Sequence, residues 1–183
     1  PDYKVDELSD QVIVNGERLV YQKYIYIMMN KPKNVVSATE DAVEKTVVDI
    51  LEEKDRIHKV FPVGRLDKDT EGLMLLTNDG ELAHKLISPK KDVEKKYYVE
   101  VSGKLKDEYI KIVENGLIID GGYKCKSARL EILESIEEKS RANIFITEGK
   151  FHQVKRMMKA LGTTVTYLKR LSIGSLKLDE NLK

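Results

Sequence analysis

Features that mark secreted and membrane proteins are missing from this sequence. A single cysteine, Cys125, stands among 183 residues, so an internal disulfide is excluded and a reducing compartment is favoured. No apolar run approaches the roughly 20 residues that a membrane span needs. The opening segment, PDYKVDELSD, is acidic and polar, unlike a signal peptide. We therefore expect a cytoplasmic protein that does not contact membranes.

Side chains that build common metal and hydrolase sites are also scarce. The three histidines, His58, His84 and His152, have no metal-ligand spacing. No serine lies in the sequence context of a nucleophile elbow. No glycine-rich loop of the kind that cradles phosphate is present. These absences argue against a histidine-ligated metal and against a serine hydrolase.

Acidic residues are absent from one part of the chain, although the total charge is balanced. The 32 Lys and Arg residues and the 31 Asp and Glu residues give a net charge of +1. Between Lys150 and Leu178, however, seven residues are Lys or Arg and none is Asp or Glu. A hydrophobic fraction of 41% with a charged fraction of 34% is typical of a folded globular chain. The balanced total therefore hides a basic C-terminal third.

Strand-like and helix-like patterns alternate along the chain without a strict βαβ rhythm. Runs rich in β-branched, aromatic and other apolar residues predict strands at 23–30, 72–77, 95–103, 117–120, 128–133, 143–147, 164–168 and 175–178. Capping residues and helical spacing predict helices at 46–54, 78–89, 105–116 and 151–162. We therefore expect the α+β class, with a mixed sheet rather than a doubly wound parallel one.

The helix predicted at 151–162 has two contrasting faces. Apolar side chains with the spacing of a core-facing stripe are Val154, Met157, Met158 and Leu161. Basic side chains with the same spacing on the opposite face are His152, Lys155, Arg156 and Lys159. A surface helix must carry polar residues somewhere, but ordinary solvated faces mix charges of both signs. An all-basic face in an acid-free stretch indicates an anionic partner.

A row of acids occurs in FPVGRLDKDTEGLMLLTNDG, residues 61–80. Asp67, Asp69 and Glu71 nearly match a calcium loop, but Asn78 stands where that pattern requires a bidentate glutamate. A phosphatase-type pair of aspartates is a second interpretation, and it would need magnesium and a loop that cradles phosphate. A charged turn between strands is a third, which spacing alone does not exclude.

Asp67 is also a candidate carboxylate nucleophile. A carboxylate is a weak nucleophile unless it is positioned and kept ionised. A neighbouring cation lowers the pKa of a carboxyl group and keeps it charged. Lys155 or Arg156, on the basic helix face, would supply that cation if the fold brings the two segments together.

Four blocks of the sequence resemble the pseudouridine synthases that modify ribosomal RNA. GRLDKDTEGLMLLTNDG resembles the catalytic motif of that family, and MMNKPKNVVSATED (28–41) resembles its opening strand and loop. EKKYYVEV (94–101) resembles the segment that carries the active-site tyrosine. TEGKFHQVKRMMKALG (147–162), followed by YLKRLSIG (167–174), resembles the third motif and the next strand. HQVKRM and LDKDTEG are most similar to the small-subunit branch of the RsuA/RluB family.

The resemblance implies an isomerisation that uses no cofactor and no metal. A uridine within RNA has its base detached from the ribose, rotated and rejoined through carbon 5. Asp67 matches the essential aspartate, a nucleophile toward either the base or the anomeric carbon. Tyr97 matches the tyrosine that packs on the target base and is implicated in proton removal at carbon 5. Lys155 matches the basic residue that pairs with the aspartate, whereas Tyr98 would point to the other face of the strand.

The resemblance also implies a set of RNA contacts. Arg65 matches the arginine that fills the stack when the uridine is flipped out, a step needed because the reacting atoms are shielded in a folded helix. Further contacts with RNA are expected at Asn30 and Lys31. Phosphate contacts are expected from Arg156, Lys159, Lys169 and Arg170.

The fold implied by the family is a mixed, largely antiparallel sheet in two lobes, with Asp67 in the cleft between them. We expect residues 1–22 to be the tail of a mostly absent N-terminal RNA-binding domain with a linker, and 23–183 to be a catalytic domain with an incomplete C-terminus. The expected partner is ribosomal RNA, of the small subunit, and the expected state is a monomer. Two alternatives stay open: a non-catalytic RNA-binding module, and a metal-dependent phosphohydrolase built on Asp67 and Asp69.

Overall fold

The computed structural model describes residues 4–6, 10–19, 22–179 and 181–182. Its strands in chain order are β1 (Val12–Val14), β2 (Glu17–Leu19), β3 (Tyr26–Lys31), β4 (Phe61–Pro62), β5 (Glu71–Thr77), β6 (Lys95–Ser102), β7 (Ile118–Ile119), β8 (Tyr123–Lys124), β9 (Arg129–Ser135), β10 (Lys139–Ile146), β11 (Thr164–Ile173) and β12 (Leu176–Lys177). Its helices are α1 (Glu53–Arg56), α2 (Gly80–Ile87), α3 (Glu108–Glu114) and α4 (Gln153–Ala160). Strands are more numerous than helices, as the sequence patterns predict.

One eight-stranded sheet organises the chain. Its main path runs β3-β5-β11-β6-β10-β9, with β4 paired to β5 and β12 paired to β11. β5 and β11 are parallel, and every other strand pair in the described part of the chain is antiparallel. The expected mixed, mostly antiparallel sheet of the α+β class is therefore confirmed.

Most of the predicted elements lie close to their expected positions, and α2 shows why. The Asp79 carboxylate accepts a hydrogen bond from the Leu82 backbone N–H at 3.0 Å, as a helix N-cap does. The helix ends at Ile87, before Pro89, which cannot continue it. Capping and proline therefore define this helix locally, as its sequence indicates.

The helix predicted at 46–54 is wrong over most of its length. Only Glu53–Arg56 is helical, and the preceding residues form turns. The Asp49 carboxylate accepts hydrogen bonds from both the backbone N–H and the hydroxyl of Thr46. Thr46 and Val47 are fully buried there. These side-chain hydrogen bonds stabilise a turn at the position where the sequence pattern predicted a helix.

The core packs the apolar stripe of α4 against the sheet. Its four predicted stripe residues, Val154, Met157, Met158 and Leu161, are all buried. They belong to one large cluster that also contains β5, β6 and β10 side chains, among them Leu76, Val99 and Ile144. A smaller cluster of Val63, Leu75 and Ala83 packs α2 on the other side of β5. β5 is therefore covered on both faces, which explains its continuous apolar sequence.

A very close backbone contact joins β5 to β11. The parallel pairing places Gly72 opposite Arg170, and Gly72 has φ +103°. A Cβ atom at Gly72 would lie 2.2 Å from the Arg170 carbonyl oxygen. Glycine is required here both for the backbone conformation and for the space.

Arg170 does not lie on the surface as a free phosphate ligand. Its side chain is buried, and its Nε donates a hydrogen bond to the Leu73 carbonyl oxygen at 2.8 Å. This burial does not support the expected phosphate contact of Arg170, because its guanidinium is directed onto the neighbouring strand.

Lys31 is also buried, and the expectation that it contacts RNA is wrong for the same kind of reason. The residue has no exposed surface. Its ammonium donates hydrogen bonds to the carbonyl oxygens of Pro32, Lys68 and Thr70 at 2.9, 3.4 and 2.8 Å. Burial lowers the pKa of Lys31 to about 8, although the nearby acids act in the opposite direction. Lys31 therefore holds the turn before β5 from inside.

The expected N-terminal segment 1–22 lies partly outside the described residues. Its described part contains the antiparallel hairpin of β1 and β2, which is separate from the central sheet. Among the described residues, no helix combines the length and the apolar composition that crossing a membrane requires.

Replacing Gly72 with alanine tests the contact between β5 and β11. We expect the Gly72→Ala variant to lose about 3 kcal/mol or more of unfolding free energy, because its Cβ would collide with the Arg170 backbone. Gly80→Ala is the matched control, since nothing lies within 4 Å of its added Cβ. Urea unfolding followed by circular dichroism measures both. Equal stabilities of the two variants would contradict this packing.

The lowered pKa of Lys31 predicts a pH-dependent stability. The folded protein releases this proton near pH 8 and the unfolded chain near pH 10.5, so stability from this group rises with pH in that interval. Between pH 8 and 9.5, the wild type should therefore gain about 1 kcal/mol per pH unit relative to Lys31→Met. Lys33→Met, at an exposed neighbouring position, should follow the wild type. Parallel profiles for all three proteins would refute the assignment.

Candidate active site

The turn before β5 fixes the position of Asp67. The Thr70 backbone N–H donates to the Asp67 carbonyl oxygen at 3.0 Å, which closes the turn. The Ser37 hydroxyl accepts from the Leu66 N–H at 3.0 Å and donates to the Leu66 carbonyl oxygen at 2.8 Å. The buried Lys31 ammonium also binds carbonyl oxygens of this turn. Together these bonds restrict the backbone at Asp67. The Asp67 side chain is 26% exposed, so its carboxylate is accessible but partly desolvated.

Lys155, on α4, contacts the Asp67 carboxylate directly. Its Nζ lies 3.0 Å from Asp67 Oδ2 and 2.6 Å from Asp69 Oδ1. Partial burial lowers the pKa of Lys155, but the hydrogen bonds to Asp69 and Asp67 outweigh that effect and raise it above its ordinary value. Partial burial raises the pKa of Asp69, but its hydrogen bond to Lys155 prevails and the pKa is lowered. Lys155 therefore stays charged and bridges two carboxylates.

His152 is a neighbour of Asp67, and the sequence patterns did not predict this contact. Its Nε2 lies 3.5 Å from Asp67 Oδ1. Its backbone has φ +49° immediately before α4, a left-handed conformation that is uncommon outside glycine. The imidazole stacks on the Phe151 ring, with centroids 3.7 Å apart and planes inclined by 19°.

Tyr97 lies on β6, between β10 and β11, where it is paired with Ile144 and Arg170. It is 8% exposed, and it lines the same cavity as Asp67. Tyr98 is bonded elsewhere: its hydroxyl donates to a Glu100 carboxylate oxygen at 2.8 Å. The alternation along β6 thus separates the two tyrosines.

A cleft of about 1200 Å³ contains the candidate residues. Asp67 and Arg65 enter it from the turn before β5, Tyr97 from β6, and Lys155 from α4. Arg65 is exposed, and it also lines a smaller neighbouring cavity that contains the same three residues. Side chains from both halves of the sheet therefore meet at one opening.

Of the other expected RNA-binding residues, the buried Arg170 lines this cleft and the rest lie outside it. Arg156 points to Asp120, whose carboxylate accepts from its Nε and whose carbonyl oxygen accepts from its Nη2 at 2.8 Å. The Asn30 amide donates to the Leu182 carbonyl oxygen at 3.3 Å. Lys159 is exposed on α4, and Lys169 is half-buried on β11.

Arg156 is therefore not the cation that contacts Asp67. The two candidates for that role, Lys155 and Arg156, are neighbours in the sequence, but α4 directs them to different acids. Lys155 meets Asp67 and Asp69, whereas Arg156 meets Asp120. The structure decides between two residues that spacing alone left open.

Glu148 is a buried carboxylate that sequence reasoning missed. It accepts hydrogen bonds from the Tyr123 hydroxyl at 2.6 Å, the Lys126 backbone N–H at 2.9 Å and the Gln153 side-chain amide at 2.5 Å. The bond to Glu148 raises the pKa of Tyr123 to about 12. Glu148 thereby ties the first turn of α4 to β8. Its only signal in the sequence is an acid directly before the basic stretch.

The contacts of the aspartates disfavour a two-aspartate metal site. The Lys155 ammonium lies between Asp67 and Asp69, where a divalent cation would have to bind. In the described part of the chain, no three His, Cys, Asp or Glu side chains come together as potential metal ligands. The phosphohydrolase alternative therefore has no support from this geometry.

Comparisons with known proteins identify the family. The family described as RNA pseudouridylate synthase matches residues 25–160. The chain is 51% identical over 178 residues to an uncharacterized RNA pseudouridine synthase, YtzG, of Bacillus subtilis (strain 168), covering 97% of this chain and 74% of that protein.

Relatives named for both ribosomal subunits are similar as well. The identity is 38% over 174 residues to ribosomal large subunit pseudouridine synthase B of Bacillus subtilis, covering 93% of this chain and 70% of that protein. It is 36% over 177 residues to ribosomal small subunit pseudouridine synthase A of Haemophilus influenzae, covering 96% and 74%.

A solved structure described as pseudouridylate synthase has the same fold. It matches with a TM-score of 0.81 and 34% sequence identity, over 99% of this chain and 76% of that one. Sequence and structure therefore agree, and the chain belongs to the RNA pseudouridine synthases of the RsuA/RluB type, which are isomerases.

Proposed function

We propose that this protein converts a specific uridine of ribosomal RNA to pseudouridine, with Asp67 as the nucleophile. The observation that carries the proposal is the contact of 3.0 Å between Lys155 and Asp67 inside a cleft that Tyr97 also lines. The Lys155 ammonium holds the Asp67 carboxylate in position in the cleft, and a positioned carboxylate is able to attack.

In this proposal, Asp67 and Tyr97 act on the uridine directly. Asp67 attacks either the base or the anomeric carbon of the flipped uridine, and the bond between that carbon and N1 breaks. The base rotates, the anomeric carbon bonds to carbon 5, and the bond to Asp67 breaks, which frees the carboxylate. Carbon 5 then loses its proton and N1 gains one, so product and substrate are isomers. Tyr97 packs on the base and assists removal of the carbon 5 proton.

Arg65 is placed to support base flipping. It is exposed at the mouth of the cleft, two residues before Asp67. A uridine that leaves an RNA helix opens a gap in the stack, and removing it costs a few kcal/mol. The planar guanidinium of Arg65 stacks well on bases and fills that gap. Backbone phosphates are then bound by accessible cations, including Lys159 and Lys169.

We propose ribosomal RNA as the substrate because relatives of this chain are named for it. The identities to the large-subunit and small-subunit enzymes, 38% and 36%, are nearly equal, so they do not indicate which subunit is modified. The motifs HQVKRM and LDKDTEG favour 16S RNA of the small subunit. Activity on ribosomal RNA would place the protein in the cytoplasm, where we expect residues 23–183 to act as a monomeric catalytic domain.

Replacing Asp67 with asparagine tests the nucleophile. RNA tritiated at uridine carbon 5 should lose tritium with the wild type, and Asp67→Asn should be slower by roughly a thousandfold or more. Asp107→Asn is the control, since Asp107 is exposed and lies outside the cleft. Equal release by the wild type and Asp67→Asn would sink the proposal. RNA binding with no release from any protein would favour the non-catalytic RNA-binding module.

Lys155→Met tests the cation beside Asp67. We expect the fold to persist, because Lys155 lies on the polar face of α4, and we expect tritium release to fall at least about a hundredfold. Arg156→Met, in which the neighbouring cation is removed, should keep most of its activity because Arg156 binds Asp120. The opposite ranking of the two variants would assign the role to Arg156. Circular dichroism and thermal melts check that both variants are folded.

A further inference from the structure

The segment just before α4 exposes an aromatic ring at the mouth of the cleft. Phe151 is 73% exposed, which is unusual for a side chain that is normally buried. It lines the cleft together with Asp67, Arg65 and Tyr97. One face of its ring stacks on the His152 imidazole, and most of the remaining ring surface is accessible to solvent.

Two neighbouring side chains contact Phe151 next to the cleft. The His152 imidazole supports the Phe151 ring from one side, at a centroid distance of 3.7 Å. The Phe151 carbonyl oxygen accepts a hydrogen bond from the Arg156 guanidinium at 3.4 Å. His152 adopts the left-handed conformation that turns the chain into α4. Residues in uncommon backbone conformations cluster at functional sites.

The position of the ring relative to the reacting centre indicates what it binds. His152 touches Asp67 with its Nε2, at 3.5 Å from Oδ1, and Phe151 lies one stacked ring further out. Phe151 therefore lies beside the reacting centre and not at it. A nucleotide that flanks a flipped uridine bound against Asp67 and Tyr97 would meet this ring, because all three residues line one cleft.

The charges around the ring suit the same ligand. Lys150 and Arg65 are exposed and line the same cleft. Single-stranded RNA is bound by aromatic rings that stack on bases, combined with cations that contact the phosphates between them. An apolar protein partner would explain the exposed ring but would leave the exposed cations without a function. RNA accounts for both.

We propose that the Phe151–His152 stack, called here the stacking platform, binds the base adjacent to the target uridine. The proposal rests on the proposed function, since the target uridine must lie against Asp67. It assigns Phe151 to the recognition of substrate sequence context and gives it no role in bond breaking. Bases have different stacking strengths, so the platform favours some neighbours of the target over others.

Kinetics with ribosomal RNA transcripts tritiated at uridine carbon 5 test the platform. Phe151→Ala should raise KM roughly 5- to 150-fold with little change in kcat, which is the range for one lost stacked base. Phe151→Tyr should behave like the wild type, and Phe151→Leu should resemble Phe151→Ala because leucine has no π face. Tyr24→Ala, which removes an exposed aromatic side chain outside the cleft, is the control and should leave KM unchanged. Wild-type KM in Phe151→Leu would overturn the proposal.

A fluorescence measurement tests stacking without any turnover. The probes are single-stranded RNA oligomers with 2-aminopurine on either the 5′ or the 3′ side of one uridine. We expect the wild type and Phe151→Tyr to quench one of the two probes, and Phe151→Ala to leave it bright. Equal quenching by all three proteins, or none by the wild type, would refute the platform. Tritium release from the transcripts reports on the proposed function separately, so failure of either idea can be told from failure of the other.

Discussion

The parallel contact between β5 and β11 is the constraint on which the site depends. Two residue pairs form it, Lys169 with Glu71 and Arg170 with Gly72. On one side of this contact lie β3, β4 and β5, and on the other lie β6, β9, β10, β11 and β12. Asp67 belongs to the turn that enters β5, and Lys155 belongs to the helix that leads into β11. Joining the two strands therefore brings the carboxylate and its cation together.

Buried polar groups hold both members of this pair from behind. The Lys31 ammonium binds carbonyl oxygens of the turn that contains Asp67. The Glu148 carboxylate binds Gln153 in the first turn of the helix that contains Lys155. Charged groups that are buried and fully hydrogen-bonded give directional support, although burying them costs stability. Such supporting bonds position the backbone segments that carry Lys155 and Asp67, whose side chains meet at 3.0 Å.

Local sequence patterns predicted the helices and strands better than they predicted the tertiary contacts. The apolar stripe of α4 and the apolar run of β5 follow from periodicity and composition, and both are buried as expected. Lys31 and Arg170 carry the same charges as surface residues, and no local pattern shows that distant carbonyl oxygens surround them. Motif resemblance paired Lys155 with Asp67, whereas the nearness of His152 to Asp67 depends on tertiary structure and became visible only there.

Charge is unevenly distributed between the floor and the walls of the cleft. At the floor, the Asp67 and Asp69 carboxylates face the Lys155 ammonium. The buried Lys31 ammonium lies near both of them, so the acids there are balanced by cations. Arg65 and Lys150 are exposed on the walls of the same cleft. Exposed cations on the walls attract phosphate groups, whereas the paired charges of the floor offer a phosphate no comparable attraction. This distribution of charge suits a ligand that carries its negative charges at one edge and an uncharged ring at the other.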